Sequence, residues 1–287
     1  MTTASVARKT ASILLVLLLL LGTARSAMAE KPDLALDSTT REQGEFFIAT
    51  VTGLDTPPRL WFDSTLYTMF RQPDGSFRAL LPVKALQPPG RYAVLAINDT
   101  WKEKIPVQVT LNDMPVQKIW LDKKTSGLRA TKDEKRRVKE GLSTRSERKL
   151  WSGTFMMPAQ GRKSSPFGVK RSYNGAPVSS YHKGIDIAAP QGTVIRSPAS
   201  GKVVLTGYES KTFHVHGNTV LIDHGHAVTS IYLHMHDILV QPGDIVSKGD
   251  PIGTIGSTGI STGPHLHWGV YLYGTSVNPE LFVRNAY

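Results

Sequence analysis

The chain has 287 residues, a formal net charge of +11 and no cysteine, which excludes disulfides, thiolate metal ligands and a lipid joined through a cysteine. Its surplus of lysine and arginine suits a negatively charged partner, or serves solubility alone, and no nucleic-acid-binding module accompanies it.

Residues 1–29 read as an export signal. Arg8 and Lys9 precede an apolar run from Ile13 to Leu21, and Ala27-Met28-Ala29 forms a small-residue cleavage site before Glu30. The run is too short for the ~20 residues that cross a bilayer, so cleavage is favoured over an anchor. The product is expected in the periplasm, the cell envelope or the medium. Removing these residues, which carry three basic and no acidic side chains, lowers the charge from +11 to +8. For an exported protein the candidate polyanions are wall polymers and lipid head groups rather than nucleic acid. The 258 residues that remain suffice for two domains.

Over residues 30–110, short alternating runs at 46–51, 60–62, 76–80, 91–96 and 105–109 are separated by turn residues such as Asp74-Gly75 and Pro88-Pro89-Gly90. This spacing predicts a small immunoglobulin-like β-sandwich. Trp61, Phe62, Phe70 and Phe77 are expected in its core rather than on a ligand platform. Residues 111–150 are dense in charge, above all at 132–140, and predict a partly helical linker with a solvated face, or a wall-docking segment. Residues 151–287 are glycine-rich and β-patterned, with strands predicted at 193–196, 201–206, 219–223, 228–234, 251–255 and 265–273. The chain is therefore expected to be all-β.

All nine histidines lie between residues 182 and 267. As a strand, His265-Leu-His-Trp-Gly-Val-Tyr271 puts His265, His267, Gly269 and Tyr271 on one face, over a surface that the glycine would keep open. The two histidine Cα atoms are then ~6.6 Å apart, so one can bind a metal while the other bonds water or substrate beside it. His182 and Asp186 would be ~13 Å apart on a straight strand, so Lys183-Gly184 must bend the chain for them to share an ion. Two imidazoles and one carboxylate leave zinc an open position for an activated water. A strand at 230–234 would put Ser230, Tyr232 and His234 on one face, which makes His234 a further imidazole candidate. His214 and His216 read as exposed hairpin residues, His224 as a turn residue, and His226 and His236 as solvent-facing.

The ordered phrases Ser165-Pro-Phe-Gly168, His182-x-Gly-x-Asp186, Asp223-His-Gly225, Tyr232-Leu-His234, Gly249-Asp-Pro-Ile-Gly253 and Gly259-x-Ser-Thr-Gly263-Pro-His-Leu-His267 resemble the lysostaphin-type (LytM-like) zinc endopeptidases that cut cell-wall peptides. The resemblance runs from about Phe155 to Pro279. It implies a twisted sheet of the duplicated-hybrid-motif (barrel-sandwich hybrid) type, whose groove holds an extended peptide and one zinc ion per chain. It also implies zinc ligands at His182, Asp186 and His267, with His234 and His265 as paired catalytic imidazoles. Tyr173 and Tyr181 are candidates for a substrate-orienting role, because the segment around Lys170-Arg171 and Tyr173-Asn174-Gly175 departs from the family pattern. The expected activity is hydrolysis of amide bonds in peptidoglycan cross-links. The alternatives are a non-catalytic wall binder or activator of another hydrolase, and a structural wall protein.

Overall fold

Alternating burial along short strands builds the first half of the protein: in Phe46–Thr52, Phe47, Ala49 and Val51 are buried while Ile48 and Thr50 are half-exposed. The computed structural model describes residues 31–178 and 180–287, so the expected export signal lies outside the described residues. Strands Asp33–Leu36, Phe46–Thr52, Phe77–Pro82 and Phe70–Arg71, in spatial order, form one sheet. Thr40–Glu42, Lys102–Thr110, Gly90–Ile97, Arg59–Phe62 and Thr65–Tyr67 form the other. The two share a core of Phe47, Val51 and Leu81 against Leu60, Phe62, Val94 and Val107. Strands absent from the sequence reading are two to four residues long, too short to show a period. Of the expected core aromatics Phe62, Phe70 and Phe77 are buried, whereas Trp61 is 38% exposed. Phe70 stacks on His226 at 4.7 Å, so His226 is covered rather than solvent-facing, and Phe46 lies 4.9 Å from Tyr287.

Ten antiparallel strands organise the second half. Their main path runs Arg162–Ser165, Ile185–Ala188, His265–Leu272, Val228–Ile238, Asn218–Gly225, Gly201–Gly207, Ile245–Val246. Val194–Arg196, Pro251–Ile255 and Thr275–Val277 join it at the sides. One face buries Ile185, Ile187, Ile222, Tyr232, Leu266, Trp268 and Val270. The other carries Leu221, Ile231, Leu233 and Tyr271, and the helix Lys132–Leu142 covers part of it through Val138 and Leu142. Thr131 and Glu134 close a capping box at its start. The predicted solvated face is corrected here by the way the charges are sorted. Arg136 bridges Asp133 and Glu140 on the outer side, whereas Glu134, Val138 and Leu142, four apart, form a buried stripe. Upstream, Val116–Ile119 pairs in parallel with Lys170–Tyr173, which pairs with Ser180–Tyr181.

His224, expected in a turn, is fully buried in the strand Asn218–Gly225. Its Nδ1–H donates to the Ser200 carbonyl at 2.9 Å, and its Nε2 accepts from Ser230 Oγ at 2.8 Å, which in turn accepts from the Tyr232 hydroxyl. Burial pushes this imidazole down to about 4. The unfolded chain therefore binds the proton more readily, and this residue's contribution to stability is intact above pH ~6.5 and fades as pH falls toward 4. A loss on the order of 3 kcal/mol is expected from it across that window. Urea midpoints at pH 7 and pH 4.5, with chelator present, should fall in the wild type and fall less in His224→Gln; equal falls would count against this assignment.

Candidate metal centre and groove

The Ser165–Gly168 phrase cradles His182. Gly168 N–H donates to the His182 carbonyl at 2.9 Å, and His182 N–H donates to Val169 at 2.8 Å. The ring Nδ1–H donates to the Pro166 carbonyl at 2.8 Å, with Ser165 Oγ at 3.1 Å, which leaves Nε2 as the bare nitrogen. Regular strand stops at Tyr181 and resumes at Ile185. Within the break a Cβ on Gly184 would lie 2.3 Å from the Trp268 carbonyl oxygen and 2.8 Å from His267 Nε2. Only glycine permits that approach, and the bend brings His182 Nε2 to 2.8 Å from Asp186 Oδ1. The Gly269 surface is not open as expected, since a Cβ there would meet the Tyr271 ring at 2.9 Å.

Asp186 pairs directly with His267 across adjacent strands. His267 Nδ1 lies 2.9 Å from Asp186 Oδ1 and 2.9 Å from His182 Nε2. These three residues are buried, and one ligand atom from each falls within 4.8 Å of the others. Burial alone would push the Asp186 carboxyl up, but the adjoining His182 and His267 rings hold it well below the usual carboxylate range. Burial pushes the His267 imidazole down to about 4, against the pull of Asp186. An ionised carboxylate beside an imidazole held neutral is the protonation state that a divalent metal requires. Arg171 Nη2 donates to Asp186 Oδ2 at 3.0 Å, leaving Oδ1 to the cluster.

His234 reaches this face by breaking the strand alternation. Ser230 and Tyr232 point to the opposite side, into the core with His224, so the expected common face of the three is corrected. His234 has φ 63°, a left-handed conformation that turns its ring to the groove beside Leu233. Its ring centroid is 4.8 Å from that of His265 and 6.4 Å from that of His267. His234 Nδ1–H donates to the Thr258 carbonyl at 2.8 Å, and His265 Nδ1–H to the Gly263 carbonyl at 2.8 Å. Each Nε2 is thereby left to accept. Burial, then the neighbouring His265 and His267, pushes His234 down to about 3, so its ring is neutral across the ordinary pH range and its Nε2 lone pair is free.

A groove of about 1150 Å³ passes over these residues. Its described lining includes Lys118, Arg129, Arg171 and Lys183 against one carboxylate, Asp186. Tyr173 and Tyr181 stand on its wall; the Tyr181 hydroxyl lies 3.0 Å from Ser276 Oγ. Trp120, 70% exposed, stands at the lip. Sequence reasoning passed over Arg171, because its partner is 15 residues away and only the packing of neighbouring strands joins them. It also passed over His216, whose ring is tied to Glu134 at 2.6 Å instead of standing exposed.

Residues 180–279 match the profile of Peptidase family M23. Over 118 residues the chain is 42% identical to DD-carboxypeptidase/endopeptidase Mpg of Neisseria meningitidis, covering 41% of this chain and 26% of that one. Over 124 residues it is 37% identical to peptidoglycan DD-endopeptidase ShyA of Vibrio cholerae, covering 43% and 28%. The chain thus spans about a quarter of the length of these curated relatives. A crystal structure assigned to peptidase M23 from Pseudomonas aeruginosa superposes with a TM-score of 0.60 at 27% identity, covering 82% of this chain and 92% of that one.

Gly184→Ala should open the cluster, because its methyl group meets backbone that cannot retreat. A stability loss of about 2–3 kcal/mol is expected, together with loss of stoichiometric zinc after dialysis. Retention of zinc at wild-type affinity would show that the bend tolerates a side chain.

Proposed function

Residues 180–279 are a domain of peptidase family M23, and from that premise we propose that the protein is an exported zinc-dependent endopeptidase that hydrolyses amide bonds in peptidoglycan cross-links. The observation that carries this reading is the convergence of His182, Asp186 and His267 within 4.8 Å, flanked by His234 and His265 with their Nδ1 atoms tied back. Two imidazole nitrogens and one carboxylate oxygen fit zinc and leave a position free. His182 Nε2, Asp186 Oδ1 and His267 Nδ1 would hold the ion, which when bound polarises a carbonyl and acidifies water.

The chain's own groups then divide the proton work. The unprotonated Nε2 of His234 or His265 takes a proton from the attacking water, and the imidazolium so formed gives it to the departing amine nitrogen. The second imidazole of the pair, 4.8 Å away, stabilises negative charge developing on the carbonyl oxygen when its Nε2 carries a proton. Arg171, on Oδ2, orients Asp186. Tyr173 and Tyr181, on the groove wall, orient the peptide. Lys118, Arg129 and Lys183 suit the free carboxylates of wall peptides and other anionic wall polymers, and the name of the Vibrio cholerae relative supports the same substrate.

Mass spectrometry of peptidoglycan after digestion with the zinc-loaded protein should show new free termini, absent with chelator. His234→Ala should slow their release by about 10²–10⁴-fold. No products from folded, zinc-replete protein would favour a binding or activating role. If the cationic lining holds substrate, KM should rise several-fold between ~0.05 and ~0.5 M salt while kcat stays level; a salt-independent KM would remove that part of the reading.

A further inference from the structure

Glu134 lies outside the family-matched span, on the helix Lys132–Leu142, and is fully buried. A buried carboxylate is costly unless its lone pairs are filled. Here Oε1 accepts from Val215 N–H at 3.1 Å, His216 N–H at 2.8 Å and the His216 ring Nδ1–H at 2.6 Å. Oε2 accepts from His214 N–H at 3.2 Å and Thr131 N–H at 3.3 Å. Burial opposes the charge, but the bonds from His216 and Val215 hold this carboxyl below its usual range. One helix side chain thus gathers three successive backbone amides of a loop that forms no strand there.

That loop carries the supports of both groove imidazoles. The His216 carbonyl accepts from His234 N–H at 3.1 Å, at the residue held with φ 63°. Thr258, whose carbonyl holds His234 Nδ1, receives Asn218 N–H on its hydroxyl at 2.9 Å. The Val215 carbonyl accepts from Ile260 N–H at 2.9 Å, next to Ser261, whose hydroxyl lies 3.2 Å from His265 Nδ1. Left-handed backbone at a non-glycine residue costs on the order of 1–3 kcal/mol and persists only when its surroundings over-determine it.

We propose that Glu134 is a positioning residue: by binding the amides of residues 214–216 it fixes the loop that holds His234 and His265 in register, so the charged segment ahead of the family domain completes the catalytic groove. The catalytic half of this assignment rests on the function proposed above; the structural half does not. The metal cluster is anchored separately, through Pro166 and Arg171, so loss of Glu134 should spare it.

The test uses the full chain with Glu134→Gln, Glu134→Asp and, as a control on the exposed side of the same helix, Lys139→Ala. The amide of glutamine keeps the shape but presents N–H to N–H. Expected for Glu134→Gln are a cooperative fold, full zinc content, kcat down at least tenfold with KM within twofold, and shifted ring-nitrogen NMR signals of His234 and His265. Glu134→Asp should recover part of the rate, and Lys139→Ala should leave rate and signals in place. Should Glu134→Gln not fold, Thr131→Val loosens the same clamp through its cap and must show the same signal shifts in weaker form. Unmoved signals with kcat within twofold in a folded Glu134→Gln, or in Thr131→Val if that variant alone folds, would overturn the proposal. An inactive wild type would sink the functional reading while the NMR comparison still decided this one.

Discussion

Asp186 pairs with His267, and His267 with Leu233, across three adjacent antiparallel strands. Because side chains alternate faces, a slip of one residue would carry either side chain of the candidate metal cluster from the groove into the core and exchange it for an apolar neighbour. Trp268, Leu266 and Val270 on the opposite face resist that slip, since all three are buried against Ile185, Ile187 and Tyr232. The same hydrophobic burial that stabilises the sheet therefore sets the separation of the ligands. Two departures from regularity, the bend at Gly184 and the left-handed His234, fall where regular geometry would have kept a side chain of the candidate site away.

Around that frame the polar groups are assigned before any substrate arrives. Each histidine bordering the groove spends Nδ1 on a fixed acceptor or on the cluster, and Asp186 divides its two oxygens between Arg171 and the imidazoles. Burial keeps His234 and His267 neutral, while hydrogen bonding keeps Asp186 charged. All three shifts are downward, and for that reason the imidazoles are neutral and the carboxylate charged near neutral pH.

Much of this was readable from the sequence. The period-two reading around His265 and the six strands expected in the second half came through because each holds a run of β-forming apolar residues between turn signals. His182 and Asp186 were joined by an argument about glycine, and the bend is there. What stayed hidden required tertiary information. Ser230, Tyr232 and His234 obey the strand period on paper, and a single positive φ removes His234 from the set. The stretch 132–140 is charged enough to look solvated, yet its stripe of Glu134, Val138 and Leu142 meets a sheet that is more than 60 residues away in sequence. A buried glutamate is invisible in composition, because the amides that satisfy it belong to backbone.

The wall of the groove that bears Lys118 and Trp120 comes from a strand laid parallel to Lys170–Tyr173, and the clamp on the 214–216 loop comes from a helix. Both precede residue 180, where the family match begins. Transplanting only the span that the family match marks out would carry the whole candidate metal cluster into a new host while leaving behind one side of the channel and the peg beneath its floor. The structural unit that completes the groove is therefore larger than residues 180–279, and its edge is drawn by hydrogen bonds.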